Sequence, residues 1–337
     1  MYVILALLLL SVLVIAHEFG HFLAARLCGI DVMEFSVGMG PLLLKSKDER
    51  GTQYSLRLFP VGGFCQFKGE DESSSDPAAF SRQKVWKRFV TVLSGPLMNF
   101  VIAFVVITLY LSAMGLLTVV PKAAELEENA IAAGMMIGDE IVQVNGAEMT
   151  DTNMIAQAIA DSEGQPISLT VLRGGDEVEL SVPLFYDEAE SRYRIGITFA
   201  QERQRISLAE SIPFSVSYNI ESTKLIVDTL KNLIFKGEGA DQVTGPVGTV
   251  YVIQDVTQQG GIDIYLELLA LISVNLGVMN LLPVPGLDGS RLLFLLVEGI
   301  RRKPVKPEIE GAIHAAGFML LIGLMVVLTY QDIVRIF

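Results

Sequence analysis

Four long apolar runs, separated by polar stretches, dominate the pattern of the chain. A membrane-spanning helix needs about 20 predominantly apolar residues, and four runs meet that length: Val3–Leu23, Phe89–Leu117, Tyr265–Val297 and Ala312–Tyr330. Two prolines and a glycine interrupt the third run in its middle. We therefore predict a polytopic α-helical membrane protein with four transmembrane helices, the third of which is broken.

The first polar stretch, residues 27–88, predicts a small cytoplasmic β-sheet beside the membrane. The segments "VMEFSVGMG", "LLLKSK" and "TQYSLRLFP" alternate or run apolar over strand lengths and are bounded by Gly, Pro and "DERG". The segment "GEDESSSDPAAF" has the composition of a polar connector. Arg82–Phe89, with Trp86 between basic residues, is typical of a helix that lies on the membrane surface.

The second polar stretch begins with a compact α+β unit at residues 118–200. An apolar strand ends at Asn145–Gly146, a two-residue hairpin signal, and a helical pattern and two alternating strands joined at Gly174–Gly175 follow. This order resembles a circularly permuted PDZ domain, a class that binds an extended peptide by strand addition. The alternative is a spacer that binds no peptide. Residues 201–264 predict amphipathic helices and a linker at the membrane surface.

Composition agrees with a membrane protein and excludes a nucleic-acid-binding one. Of 337 residues, 51 % are hydrophobic, and the mean hydropathy is positive. The net charge of −13 arises in residues 118–264, which hold 9 Lys/Arg and 23 Asp/Glu, and no basic stripe is present. Cys28 and Cys65 are too few for a disulfide framework and lack a metal-site spacing.

Basic residues in the loops predict the orientation in the membrane. Residues 27–88 carry nine Lys/Arg, and the short loop 298–311 carries four. The positive-inside rule makes both loops cytoplasmic, which places the acidic stretch and both termini outside. The first run lacks a basic n-region and a convincing cleavage site, so we expect it to be a retained span rather than a signal peptide.

These patterns divide the chain into eight segments. In order they are the first span (1–26), a cytoplasmic β-rich loop with an amphipathic segment (27–88), the second span (89–117), the PDZ-like domain (118–200), external amphipathic helices and linker (201–264), the broken third span (265–297), a cytoplasmic loop (298–311) and the fourth span (312–337).

The first span contains the pattern H-E-x-x-H, formed by His17, Glu18 and His21. On a helix this spacing puts two histidines one turn apart on one face, where both can bind zinc, with the glutamate beside the water that the metal activates. Ionisable groups within an apolar span cost several kcal/mol unless they are paired or line a site. The alternative is a set of structural polar residues near the helix end.

A zinc site of this kind needs a third protein ligand, and Asp288 in "NLLPVPGLDG" is the better of two candidates. Pro283, Pro285 and Gly286 break the helix there, and freed backbone at membrane depth is tolerated where it is buried in protein or lines a cavity. A proline kink with a capping Asp is the alternative. His314 is the other candidate, but it stands alone near the start of the fourth span, as a core or interfacial histidine would.

The paired motifs "HEFGH" and "NLLPVPGLDG" resemble those of the site-2 protease family of intramembrane zinc metalloproteases. The resemblance extends to "PVGGFCQFKGE", "SGPLMNF" and "TGPVG", covers nearly the whole chain and points to the bacterial regulator of sigma-E protease subgroup. It implies that His17, His21 and Asp288 bind Zn²⁺ and that Glu18 is the general base and acid. The archetype of the subgroup has two PDZ domains, whereas this chain has room for one. The resemblance therefore does not imply how this chain selects substrates by size.

Further residues gain expected roles from the same resemblance. Asn280 resembles the family asparagine associated with contact to substrate or oxyanion, although it could instead satisfy freed backbone groups. Gly62, Gly63 and Phe64 resemble the end of a membrane re-entrant β-loop, whose edge could hold an unwound substrate; a plain packing hairpin is the alternative. Asn99 could hydrogen-bond across spans near the site.

The expected function is a zinc-dependent intramembrane endopeptidase in the bacterial cytoplasmic membrane. His17 lies roughly 21 Å along the helix from Val3 in a core about 30 Å thick, which places the site in the cytoplasmic half of the bilayer. Expected substrates are single-span membrane proteins already cut outside, such as anti-sigma factors and signal-peptide remnants. The alternatives are a non-catalytic PDZ membrane adaptor and a zinc transporter.

Overall fold

The computed structural model describes residues 2–70, 74–188, 192–239 and 243–336. It divides into two units, one formed by Leu111–Ile206 and the other by Met1–Tyr110 with Ser207–Phe337. The helices are α1 (Tyr2–Cys28), α2 (Val85–Met114), α3 (Glu128–Ala132), α4 (Asn153–Asp161), α5 (Leu208–Lys236), α6 (Pro246–Leu281), α7 (Asp288–Arg301) and α8 (Pro307–Ile336). The strands are β1 (Val32–Lys47), β2 (Gln53–Phe67), β3 (Leu116–Leu126), β4 (Glu140–Val144), β5 (Ala147–Glu148), β6 (Ile167–Arg173), β7 (Asp176–Val182), β8 (Phe185–Asp187), β9 (Arg192–Arg194) and β10 (Ile197–Gln204).

The prediction of four helices able to cross a membrane is confirmed. Within the described residues, the helices that are long and apolar enough are Val3–Cys28, Val85–Met114, Gly261–Leu281 and Glu308–Ile336. The second starts earlier than predicted, because residues 85–89 form the first turn of α2 and not a separate surface helix. A continuous helix satisfies the backbone of these residues without extra caps.

The third apolar run forms two helices, where we predicted one broken span through Val297. Helix α6 ends at Leu281, residues 282–287 are not helical, and α7 begins at Asp288. Pro283 and Pro285 lack the backbone N–H that a helix requires, and Gly286 adopts a φ of +97° that favours glycine. At its other end the spanning part of α6 begins at Gly261, whose φ of +65° separates it from the preceding helical segment.

Close packing joins the first two spans. A Cβ atom at Gly20 of α1 would overlap the carbonyl oxygen of Ser94 in α2, and the Ser94 hydroxyl donates to the carbonyl of Gly20 at 2.9 Å. Further along α1, Leu9 and Leu13 are fully buried in a cluster with Ile253 of α6. These contacts hold α1 between α2 and α6.

The predicted sheet in residues 27–88 is formed by β1 and β2, and the register shows four paired segments. Residues 34–37 pair on one side with residues 63–66 and on the other with residues 53–56, which in turn pair with residues 44–47. The segment 63–66 therefore has no further strand on its outer side in the described pairing. The end of β2 is an edge strand.

Helix α5 is a single helix, where we predicted several amphipathic helices. It starts with a capping box between Ser207 and Glu210 and ends at Gly237 in the left-handed conformation. Its small polar side chains face inward: Ser215 is buried and accepts a hydrogen bond from Thr108 of α2 at 2.8 Å.

The Leu111–Ile206 unit has the predicted order of strand, hairpin, helix and hairpin. Its main sheet runs β10-β3-β4-β6-β7, with β5 paired to β4 and a separate β8-β9 pair. Asn145 and Gly146 both have positive φ in the β4–β5 turn, as a two-residue hairpin requires. Ile141, Leu169 and Val171 are among the buried residues of its core.

Candidate metal centre

Helix α1 brings His17 and His21 together on one face. The two residues are one turn apart, and their Nε2 atoms lie 3.2 Å from each other. Both are buried, with 9 % and 7 % of their surface exposed. The i, i+4 spacing of a regular helix is sufficient to produce this pair.

The carboxylate of Asp288 completes a triangle with the two histidines. Its Oδ2 lies 3.0 Å from His17 Nε2 and 3.2 Å from His21 Nε2. The turn between α6 and α7 aims this side chain, since Leu287 N–H donates to the Val284 carbonyl at 3.1 Å and α7 begins at the next residue. Gly289 permits the close turn, because a Cβ there would overlap the carbonyl oxygens at the end of α6.

The three atoms have the spacing of ligands on a common metal ion. Ligand atoms bound at about 2.0–2.1 Å to a tetrahedral zinc ion lie about 3.3 Å apart, and the observed separations are 3.0–3.2 Å. Two imidazoles and one carboxylate form a donor set typical of catalytic zinc sites, which keep a fourth position open. The residues fit zinc.

The hydrogen bonding of His21 supports the same conclusion. Its Nδ1 lies 2.9 Å from the carbonyl oxygen of Thr91, which can only accept a hydrogen bond, so Nδ1 carries the proton. In a neutral imidazole Nε2 then presents a lone pair to the Asp288 carboxylate. Two lone pairs at 3.2 Å require a positive charge between them, which a metal ion or a second proton supplies.

Helix α2 contacts the rings of both histidines. Asn99, which is fully buried, places its Nδ2 at 3.2 Å from His17 Nδ1, so the predicted hydrogen bond across spans is present. A Cβ at Gly95 would overlap the ring of His21. The sequence analysis missed Thr91 and Gly95; the backbone carbonyl of Thr91 has no sequence signal, whereas a glycine inside the apolar "SGPLMNF" could have indicated close helix packing.

Glu18 faces the edge strand of the β1–β2 sheet. The backbone of Cys65 hydrogen-bonds the Glu18 carboxylate, and a Cβ at Gly63 would lie 3.7 Å from Glu18 Cγ. Burial raises the pKa of the Cys65 thiol, so this neighbouring cysteine is a poor source of thiolate. A carboxylate thus lies between the histidine pair and a strand edge.

The other predicted residues are not part of the His17–His21–Asp288 triangle. Gly62, Gly63 and Phe64 belong to β2, and the guanidinium of Arg57 lies 5.1 Å from the Phe64 ring centroid. Asn280 is half-buried in the last turn of α6.

His314 supports the loop before Asp288. The N–H of Gly286 donates to His314 Nδ1 at 3.2 Å, and Gly317, one turn further along α8, lies directly against Pro285. A cavity of about 420 Å³ adjoins Asp288 and is lined in addition by Leu287, Arg291, His314 and Phe318. The fourth span therefore borders the centre.

A protein-family comparison covers nearly the whole chain. The family model described as "Peptidase family M50" matches residues 5–324. The chain belongs to peptidase family M50. This membership confirms the site-2 protease resemblance predicted from the motifs, and both motif regions of the centre fall within the matched part of this M50 chain.

Similar M50 relatives are found in distant bacteria. "Putative zinc metalloprotease Atu1380" of Agrobacterium fabrum is 33 % identical over 98 % of this chain and 95 % of its own length. A Fusobacterium nucleatum protein, FN1322, with the same descriptive name is 32 % identical over 99 % of both chains. "Zinc metalloprotease RasP" of Shouchella clausii is 31 % identical over 97 % of both. Each of these alignments covers at least 95 % of both proteins.

Proposed function

We propose that the chain is a zinc-dependent intramembrane endopeptidase of the site-2 protease type. The observation that carries the proposal is the triangle of His17, His21 and Asp288, in which three ligand atoms lie within 3.2 Å of one another between helices apolar enough to span a membrane. Membership of peptidase family M50 supports the reaction class, and the names of the relatives support zinc.

In this proposal His17, His21 and Asp288 hold the zinc ion. A zinc ion held by these residues would supply a water molecule of lowered pKa and a Lewis acid for the scissile carbonyl. Glu18 takes a proton from the attacking water and delivers it to the leaving amine, as a general base and then a general acid. Asn280, in the last turn of α6, is assigned to substrate or oxyanion contact because it resembles the family asparagine with that role.

The edge of β2 is the proposed docking strand for the substrate. A transmembrane helix has its peptide groups hydrogen-bonded internally, so it must unwind before a bond reaches Glu18. Residues 63–66 are paired on one side only, and an extended segment can add to such an edge through backbone hydrogen bonds. Gly63 and Phe64 belong to this edge, Gly62 directly precedes it, and the contact of Cys65 with Glu18 supports its nearness to the catalytic carboxylate.

The proposed setting is a bacterial cytoplasmic membrane, with both termini and the Leu111–Ile206 unit outside. Substrates are single-span membrane proteins already cut outside, with anti-sigma factors and signal-peptide remnants as the expected kinds. The PDZ-like unit either binds the new peptide end or limits the size of the ectodomain. The basic loops 27–88 and 298–311 support this orientation.

Zinc content and cleavage test the proposal together. The wild-type chain, purified in detergent, should hold about one zinc ion and cleave a single-span reporter, whereas His17→Ala should lose the metal. Glu18→Gln should retain zinc but lose cleavage. Glu221→Gln, an exposed change on α5, serves as the matched control and should behave as wild type.

Three outcomes would contradict the proposal. Wild-type protein without bound metal would remove the zinc site and favour the adaptor alternative. Cleavage that persists in Glu18→Gln would remove the role assigned to Glu18, and bound metal without cleavage of any reporter would remove the protease function.

A further inference from the structure

Asn99 has one buried polar atom that the surrounding protein leaves unsatisfied. Its side chain is fully buried in α2, and its Nδ2 lies 3.2 Å from His17 Nδ1. Its Oδ1 is also buried, and no hydrogen-bond partner for that atom lies among the described residues. This oxygen is therefore the atom of the amide that is able to accept a further hydrogen bond.

The present orientation selects one tautomer of His17. A donor Nδ2 needs His17 Nδ1 as its acceptor, and in a neutral ring that arrangement puts the ring proton on Nε2. Nε2 lies 3.0 Å from Asp288 Oδ2, an oxygen with no hydrogen-bond partner among the described residues. A histidine that binds a metal through Nε2 needs the opposite arrangement, with its proton on Nδ1 and an acceptor facing that nitrogen.

Asn99 can provide that acceptor without any movement of the backbone. A half-turn of the amide exchanges Oδ1 and Nδ2, which have nearly the same size, and brings the unsatisfied oxygen to His17 Nδ1. His21 has no such choice, since its Nδ1 faces the fixed carbonyl of Thr91. His21 is therefore held in the metal-binding tautomer. His17 instead faces an amide that can turn to present either a donor or an acceptor.

We propose that Asn99 is a positioning residue: its amide turns so that Oδ1 accepts the Nδ1 proton of His17 and holds the ring in the metal-binding tautomer. The inference rests on the proposed zinc site. The backbone of Asn99 is held in place by the Ser273 hydroxyl, which donates to its carbonyl at 2.7 Å, so the side-chain amide is the part that turns.

Zinc affinity separates this role from simple packing. We would measure the affinity of full-length protein in detergent by competition with a chromophoric chelator, for wild type, Asn99→Leu and Asn99→Asp. Leucine has a similar volume but no acceptor, and we expect zinc binding to weaken about 10–100-fold, the usual effect of losing such a partner. Aspartate retains an acceptor for His17 Nδ1, and we expect affinity close to that of wild type.

The matched control is Thr108→Val, which removes a buried hydrogen bond elsewhere on α2 and should leave zinc affinity unchanged. The visible spectrum of cobalt-substituted protein gives a second measurement, and it should change in Asn99→Leu but not in Thr108→Val. A folded Asn99→Leu that binds zinc as tightly as wild type would overturn the inference. If the leucine variant does not fold, Asn99→Asp decides, and a loss of affinity of about tenfold or more there would also overturn it.

The same measurements distinguish this inference from the proposed function. Wild type that binds no zinc removes the proposed metal site and the Asn99 role with it. Wild type that binds zinc, and loses it in His17→Ala but not in Asn99→Leu, leaves the proposed function standing and removes only the role of Asn99.

Discussion

Gly95 lies directly against the imidazole ring of His21, so that a Cβ atom on this glycine would overlap Nε2, Cε1 and Cδ2 of the ring. The contact joins α2 to the metal-facing side of α1 at the residue whose Nδ1 already bonds Thr91. The absence of a side chain at residue 95 is therefore part of the geometry of the centre.

We predict that Gly95→Ala displaces the His21 ring and weakens zinc binding by about tenfold or more, because the ligand can no longer keep its orientation. Zinc retained after dialysis against a chelator measures the effect. Gly323→Ala is the control, since a Cβ there meets no heavy atom within 4 Å. Full zinc retention in Gly95→Ala would show that the ring tolerates the shift.

Gly317 of α8 provides a second prediction, because its backbone packs on Pro285 in the loop before Asp288. Gly317→Ala should push α8 away from this loop and destabilise the protein by about 1–3 kcal/mol, as overpacking does, and it should lower the rate of reporter cleavage. Thermal unfolding in detergent and the cleavage assay measure both effects. Gly311→Ala, at an open position of the same helix, should change neither; equal effects of both variants would refute the packing argument.

Asp332 provides a third prediction, at the far end of α8. Its buried carboxylate accepts the N–H groups of Gly245 at 3.1 Å and Gly248 at 2.7 Å, at the start of α6. Hydrogen bonds to a charged group contribute about 1.5–3 kcal/mol each, and a negative charge is favourable at a helix N-terminus. Asp332→Leu should therefore lower the unfolding temperature clearly, and Asp332→Asn less so.

The control for Asp332 is Asp228→Asn, an exposed change on α5 in a surface ion pair with Lys231. Surface pairs contribute about 0–1 kcal/mol, so its unfolding temperature should stay near that of wild type. An Asp332→Leu variant as stable as this control would contradict the prediction.

The ion pair between Asp139 and Arg173 predicts a pH dependence in the Leu111–Ile206 unit. Arg173 donates to both carboxylate oxygens, at 2.8 and 2.7 Å, and holds the pKa of Asp139 below its ordinary value. Folding therefore favours the ionised carboxylate, so the stabilisation is complete above the unfolded pKa of about 3.9 and is lost as pH falls through the lower folded pKa.

Hydrogen exchange of the β4 and β6 amides in the full-length chain, corrected for intrinsic rates, measures this dependence. We expect the opening free energy to fall below about pH 4 in wild type. Asp139→Asn should reduce it at neutral pH and flatten the acid dependence, because the substitution removes the charge that Arg173 stabilises. A variant with the same acid profile as wild type would assign that profile to other groups.

Local features of the sequence were sufficient to predict the helices and the pairing of His17 with His21. Apolar length alone identified the four spans, and the regular turn of a helix brings His17 and His21 together whatever surrounds them. The break near Pro283 was equally predictable, since a missing N–H is a covalent property of the residue. The end of the third span could not be predicted in this way, because residues 288–297 continue the apolar run but form a separate helix.

The partners of the centre depended on segments distant in the chain. Asp288 was inferred from the broken span and from a family resemblance, and its contact with His17, 271 positions earlier, arises only when α7 packs beside α1. No sequence pattern predicted three further contacts: the Thr91 carbonyl with His21, Gly63 with Glu18, and His314 with Gly286. A backbone carbonyl or a glycine contributes to the centre only when another group comes close to it, and that closeness depends on how the helices pack.

The sequence by itself therefore determined which segments are long and apolar enough to span a membrane, where the chain breaks and which residues are the candidates for the chemistry, because hydropathy, helical period and proline geometry are local. Only the tertiary structure decided which nitrogen of each histidine faces the Asp288 carboxylate and which atom of α2 contacts the other ring nitrogen. Those choices depend on helix α2 approaching α1 closely enough, at Gly20 and Gly95, for a backbone carbonyl and a buried amide to reach the two rings.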